Sequence, residues 1–158
     1  MINPCELRVG NYVLYNNEPV MVKGVTANAV MLDGVMYDTG NPNFPFDYKH
    51  IYAGEDCVRP IPLCDTMLQK IRSRIPIKGG YAYTYYSTKA TFLIYPDADG
   101  YFIGMDFRGN IIHVTPHKMN YLHELQNVYF AQYGGEMDID NRILARAVVS
   151  CIENGAFD

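Results

Sequence analysis

LRVGNYVLYNNEPVMVKGV, Leu7 to Val25, places two strand-like runs, YVLY and VMVKGV, on either side of the polar step NNEP. β-Branched and aromatic residues suit a pleated, half-buried surface. An Asn-Asn pair tolerates the left-handed backbone of a tight hairpin. Asn16 and Asn17 therefore take the turn, with Pro19 just past it. AVMLDGVMYD, Ala29 to Asp38, continues as short strands broken at Asp33-Gly34. Short strands separated by turns predict a small, strongly bent barrel of the SH3-like kind.

Working outward, TGNPNFPFDYKHIYAGED, Thr39 to Asp56, reads as a long loop rich in Pro, Asn, Gly and aromatic residues. VRPIPL then resumes an extended segment whose alternating Pro60 and Pro62 suit an edge strand. Asp65 is placed to cap a short helix, TMLQKIRSR, with Met67, Leu68 and Ile71 on its apolar face. YAYTYYS, TFLIYP, YFIGMDF and NIIHV follow at the spacing of an antiparallel meander. Thr115-Pro116 predicts the start of a second helix that stops at Gly134-Gly135. Along it Leu122, Leu125, Tyr129 and Gln132 recur at helical spacing, widened by Tyr121 and Val128. A third helix runs from about Asn141 to Glu153 with Asp140 as its cap; Leu144, Ala147, Val148, Cys151 and Ile152 form its buried face.

The fold class is thus α+β: an N-terminal SH3-like small β-barrel over 1–63, then an antiparallel β-meander packed with two or three helices over 64–158. The two lobes are expected to share one core. At 158 residues, 49% hydrophobic and 19% charged, the composition is globular. No apolar run approaches the roughly 20 residues that span a bilayer. MINPCELRVG lacks the basic-then-apolar pattern of a secretory signal. Cys5, Cys57, Cys64 and Cys151 are scattered without a C-x-x-C pair, which fits reduced thiols and a cytoplasmic location. A net charge of −4 argues against broad, non-specific binding to nucleic acid.

Three segments occur in a telling order: L-R-x-G-N-x-V near the start, P-I-P-L before the first helix, and Y-x-H-x-L-Q-N-x-Y-F near the end. Together they resemble a group of short uncharacterised proteins of gut anaerobic bacteria, their phages and mobile elements. The resemblance covers residues 5–25, 58–72 and 119–137 and implies an accessory role in phage or mobile-element biology. That group carries no assigned activity, so the resemblance implies no catalytic residue. The third helix is an addition to its usual ending.

Chemistry-bearing constellations are sparse. His113, His117 and His123 lack the i, i+4 spacing that puts two metal ligands on one helix face, and no metal site is expected. PDADG begins like a calcium loop, but the later ligand positions hold Tyr101 and Arg108, so a turn explains Asp97 and Asp99. G-x-S-x-G, P-loop and Rossmann signatures are absent. Cys151, on an apolar stripe, reads as an inert thiol. A small hydrolase built around His113 and His117 is the weakest reading.

Two surfaces remain. The aromatics Phe44, Phe46, Tyr48 and Tyr52 are candidates for partner binding. NFPFDY either plugs the open end of the barrel, burying Phe44 and Phe46, or lines a groove for an extended peptide, exposing them. Lys70, Arg72, Arg74 and Lys78 adjoin Tyr81, Tyr83 and Tyr85, which alternate onto one strand face, with Tyr86 opposite. Basic and aromatic residues side by side are what single-stranded nucleic acid requires. The expectation is a non-enzymatic binding or adaptor protein without a cofactor and away from membranes, engaging another protein or a second copy of itself. The alternative is a nucleic-acid or nucleotide binder using the basic-aromatic surface.

Overall fold

A computed structural model describes residues 2–55, 57–85, 92–115 and 117–157. The expected Tyr86 orientation and Pro116 as a first helical residue lie outside them. Over the described residues the fold is mixed α+β with antiparallel sheets, one of them curled into a half-barrel, and three α-helices. The chain divides into two compact units, 1–61 with 122–136, and 62–121 with 137–158.

The first unit opens with a 3-10 turn at Pro4–Glu6, capped by the Asn3 side chain. Strands β1 (Tyr12–Tyr15) and β2 (Glu18–Val25) form the expected hairpin, with Tyr15 opposite Glu18. Asn16 and Asn17 hold φ of 52° and 68°, the left-handed pair of a type I′ turn. β3 (Ala29–Leu32), β6 (Ile51–Tyr52) and β7 (Val58–Arg59) complete a sheet in the order β6-β3-β2-β1-β7. Its strands bury Val13, Val22, Val30, Leu32, Ile51 and Val58 in one cluster.

The span read as a long loop is largely strand. β4 (Met36–Asn41) and β5 (Phe44–Tyr48) form a separate two-stranded sheet. Local hydrogen bonding explains it. Asp38 Oδ1 accepts from the Gly40 N–H, and Asn41 Oδ1 from the Asn43 N–H, at 2.8 and 2.9 Å. These side chains shape the turn that the Pro- and Asn-rich composition disguised as irregular.

Helix α2 (Leu122–Tyr133) belongs to this first unit and packs on β1. Its start is five residues or more beyond the expected one. Met119 and Tyr101 exchange backbone hydrogen bonds at 2.6 and 3.0 Å, and Pro62 bridges Tyr121, so 117–121 is committed to sheet-like pairing. Thr115 does not cap a helix; its hydroxyl accepts from the Ile103 N–H at 3.1 Å. The buried face is also more polar than expected: Gln132 is exposed, while His123 and Gln126 are buried.

The second unit holds the meander, β8 (Arg74–Ile77), β9 (Gly80–Thr84), β10 (Phe92–Asp97), β11 (Gly100–Phe107) and β12 (Asn110–His113), in the order β12-β11-β10-β9-β8. Edge strands β8 and β12 both line a cleft of about 250 Å³, through Ile77 and Ile111, so this sheet curls over one face. That face buries Ala82, Leu93, Tyr95 and Phe102. Helix α1 (Asp65–Ile71) ends before the expected Arg74, because Arg74 to Ile77 pairs with β9 and Pro76 is tolerated on an edge. Helix α3 (Asn141–Glu153) matches its expected limits, with Asp140 Oδ1 accepting from Arg142 N and Ile143 N at 2.8 and 3.2 Å. Leu144, Ala147, Val148 and Cys151 are buried as expected, whereas Ile152 is exposed.

Candidate functional site

Hairpin β4–β5 places the candidate aromatics. Side chains alternate across a strand, so Phe44, Phe46 and Tyr48 share one face of β5. Directly opposed residues point the same way, which adds Met36, paired with Tyr48, and Asp38, paired with Phe46. Phe44 and Phe46 are 73% and 63% exposed, and Met36 is exposed beside them. The barrel-plug reading required both phenylalanines to be buried, and their exposure rules it out. Tyr48 is half-buried; Tyr52, on β6, is exposed. The tip is firm: the Thr39 hydroxyl donates to the Phe44 carbonyl, and Thr39 Oγ1 accepts from Asn41 N at 3.1 Å. Both outer strand edges of this two-stranded sheet lack a neighbouring strand among the described residues. Such edges carry N–H and C=O groups ready to pair with an added strand.

The basic-aromatic residues are arranged differently from a stacking platform. Tyr81 and Tyr83 do share one face of β9, but their hydroxyls converge on Asp65, at the start of α1. Tyr81 Oη donates to Asp65 Oδ2 at 2.7 Å, and Tyr83 and Tyr101 Oη donate to Asp65 Oδ1 at 3.0 Å each. Tyr83 and Tyr85 are 0% and 1% exposed, so neither ring is open to a base. Tyr81 is half-buried, with the Arg74 guanidinium 3.8 Å from its ring centre. Arg72 donates from both terminal nitrogens to the Asp138 carbonyl at 3.1 Å. Lys70, Arg74 and Lys78 are exposed.

Asp65 is therefore not the side-chain cap that its position suggested. Cys64 occupies the cap position without a side-chain bond, and Asp65 spends its carboxylate on three hydroxyls. Desolvation pushes its pKa up, but the hydrogen bonds from Tyr81, Tyr83 and Tyr101, with the Arg74 charge, hold it below the ordinary 3.8. Burial first, then Asp65, raises the Tyr83 and Tyr101 hydroxyls above their ordinary 10.0. Every proton stays on a tyrosine and the charge on Asp65, so the cluster is an anchor between α1 and strands β9 and β11. No pattern of spacing in the chain signalled it.

The histidines are dispersed in role. His113 stacks on Phe102 with ring centres 3.7 Å apart, His117 is exposed, and His123 is buried. Burial holds the His123 pKa below 6.5 despite Glu124 and Glu6. Among the described residues, no three His, Cys, Asp or Glu side chains gather as a metal site. The Asp97 and Asp99 turn forms as expected, bridged by Lys118 at 3.1 and 3.5 Å.

Two of the three segments that carry the resemblance meet in the first unit. Gln126 accepts from Tyr12 N at 2.9 Å and donates to Gly10 O at 3.1 Å. Asn11 donates to Asn127 Oδ1 at 2.9 Å, and Asn127 donates to Glu6 O at 3.0 Å. Arg8 pairs with Glu136 and lies 4.0 Å from the Phe130 ring centre. These polar residues hold α2 to the segment before β1 and are a packing device. Among the described residues no helix is long and apolar enough to cross a membrane. Comparison with protein-family models, curated proteins and solved structures finds no match to this chain.

Proposed function

We propose that this chain is a non-enzymatic binding or adaptor protein that engages a protein partner through hairpin β4–β5. The observation that carries the reading is the exposed Phe44–Phe46 face on a hairpin with two open strand edges. Large exposed apolar side chains grouped on one surface are what partner-binding sites show. An open edge lets a partner's strand add to the sheet while its side chains cover the aromatic face. The first unit is read as an SH3-like barrel. Leaving aside β4 and β5, its strands in chain order occupy sheet positions 4-3-2-1-5, the order of that architecture, and the hairpin is an insertion between the third and fourth strands. A role in phage or mobile-element biology and a cytoplasmic location complete the proposal, resting on the sequence resemblance and the unpaired thiols.

The test compares the wild type with Phe44→Ser/Phe46→Ser by native mass spectrometry after gentle purification from host lysate, and by light scattering. The expected result is a defined hetero-complex or homo-oligomer for the wild type and a monomer for the variant, with unchanged circular dichroism. A variant that retains the same species overturns the proposal.

A further inference from the structure

Two cysteines that lie 87 positions apart in the chain meet in the second unit. Cys64 Sγ and Cys151 Sγ are 3.4 Å apart. Cys64 immediately precedes α1, Cys151 lies in the closing turns of α3, and the two helices pack together. Cys64 is half-buried and reachable, and Cys151 is buried. The remaining cysteines, Cys5 and Cys57, both belong to the first unit.

Cys64 is held from both sides. Leu63 N donates to Asn120 O at 2.8 Å, and Asp65 takes its three tyrosine hydroxyls. Cys151 is fixed on the buried stripe of α3 beside Ala147 and Val148. A disulfide holds its sulfurs about 2.0 Å apart, so bond formation needs an approach of about 1.4 Å from here. Burial, then the contact with Cys64, raises the Cys151 thiol to about 12, which keeps it protonated in the reduced protein.

We propose that Cys64 and Cys151 are a reversible thiol–disulfide site, closed by exchange with a low-molecular-weight disulfide. The Cys64 thiolate attacks one sulfur of the small disulfide; a mixed disulfide forms, and the released thiolate takes up the proton that Cys64 gave. Cys151 then loses its proton and attacks Cys64 Sγ, breaking the mixed bond and releasing a second small thiol. Two protein thiols have lost two electrons, and the small disulfide has become two thiols. A reducing dithiol reverses both steps. The closed bond ties the start of α1 to the end of α3 and constrains the unfolded chain over the span between them.

The full-length chain is incubated with oxidised glutathione, quenched by alkylation, and read by intact mass and non-reducing peptide mapping, alongside Cys5→Ser/Cys57→Ser. The expected result in both proteins is loss of two hydrogens at a Cys64–Cys151 link, a raised melting temperature, and reversal by dithiothreitol. In Cys151→Ser a glutathione adduct is expected to persist on Cys64. Absence of the Cys64–Cys151 link, or a wild-type adduct on Cys64 that persists as in Cys151→Ser, overturns the proposal. The first two proteins decide the matter even if Cys151→Ser does not fold.

Discussion

Asp65 shows how one side chain joins local and long-range structure. It sits in the first turn of α1, where a negative charge favours the helix, and it also collects hydroxyls from β9 and β11. Hydrogen bonds to a charged group contribute about 1.5–3 kcal/mol, so Asp65→Ala should destabilise the second unit by roughly 2–3 kcal/mol in urea denaturation. Asp65→Asn should cost less, since its amide oxygen still accepts two hydroxyls. The pH dependence has a definite sign at both ends. A folded pKa below 3.8 makes the Asp65 contribution present above that value and lost as pH falls through the folded pKa. The raised Tyr83 and Tyr101 values act oppositely: their contribution is full below 10.0 and lost as pH rises above it. The midpoint should therefore fall more steeply below about pH 4 in the wild type than in Asp65→Ala, whereas above about pH 10 both proteins should lose stability, because burial raises the tyrosines in each. Equal slopes on the acid side would show that Asp65 is not ionised as described.

Among the elements, α3 and hairpin β4–β5 make opposite predictions. The α3 cap rests on one carboxylate that accepts two backbone N–H groups, so Asp140→Ala should lower stability by about 1 kcal/mol. Asp140→Asn should restore most of the loss, which separates capping from packing. On the hairpin, Phe44 and Phe46 are already in water, so Phe44→Ser/Phe46→Ser should leave the melting temperature nearly unchanged while removing complex formation. Elements also show where sequence reading succeeded. Asn16-Asn17, Asp140 and the meander turns were legible because a turn's φ angles and a helix's cap are set by residues within a few positions. The start of β4 lay in a run read as strand, but β5 and its pairing were missed because the proline- and asparagine-rich run from Thr39 matches a loop in composition, and only the pairing of Met36 with Tyr48 and Asp38 with Phe46 distinguishes the two.

On the scale of the whole chain, the first unit is discontinuous: its helix is supplied by residues 122–136. Without that helix, Tyr12 N and Gly10 O lose their Gln126 partners, and Arg8 loses Glu136 and Phe130. A fragment of residues 1–63 is therefore expected to show no cooperative thermal transition by circular dichroism, whereas the full chain melts cooperatively. A fragment that melts like a folded domain would show that α2 is dispensable to the sheet. A boundary near residue 63 follows from reading the chain in order, and α2 crosses it because a helix from late in the chain packs on β1 within the first unit.

Periodicity, turn residues and caps, all short-range features, were enough to establish an α+β chain with an opening hairpin, a meander of antiparallel strands and a last helix from Asn141 to Glu153. Those features depend on backbone sterics and on partners a few residues away. The tertiary structure alone decided the remainder: that Tyr83 turns inward to Asp65, that His123 and Gln126 are buried, that Phe44 and Phe46 stand in water, and that Cys64 meets Cys151. Each depends on which distant segments share a core, and a side chain's polarity does not state its neighbours. A tyrosine offers both a ring to bury and a hydroxyl to donate, and the folded chain placed a carboxylate where three of them could reach it.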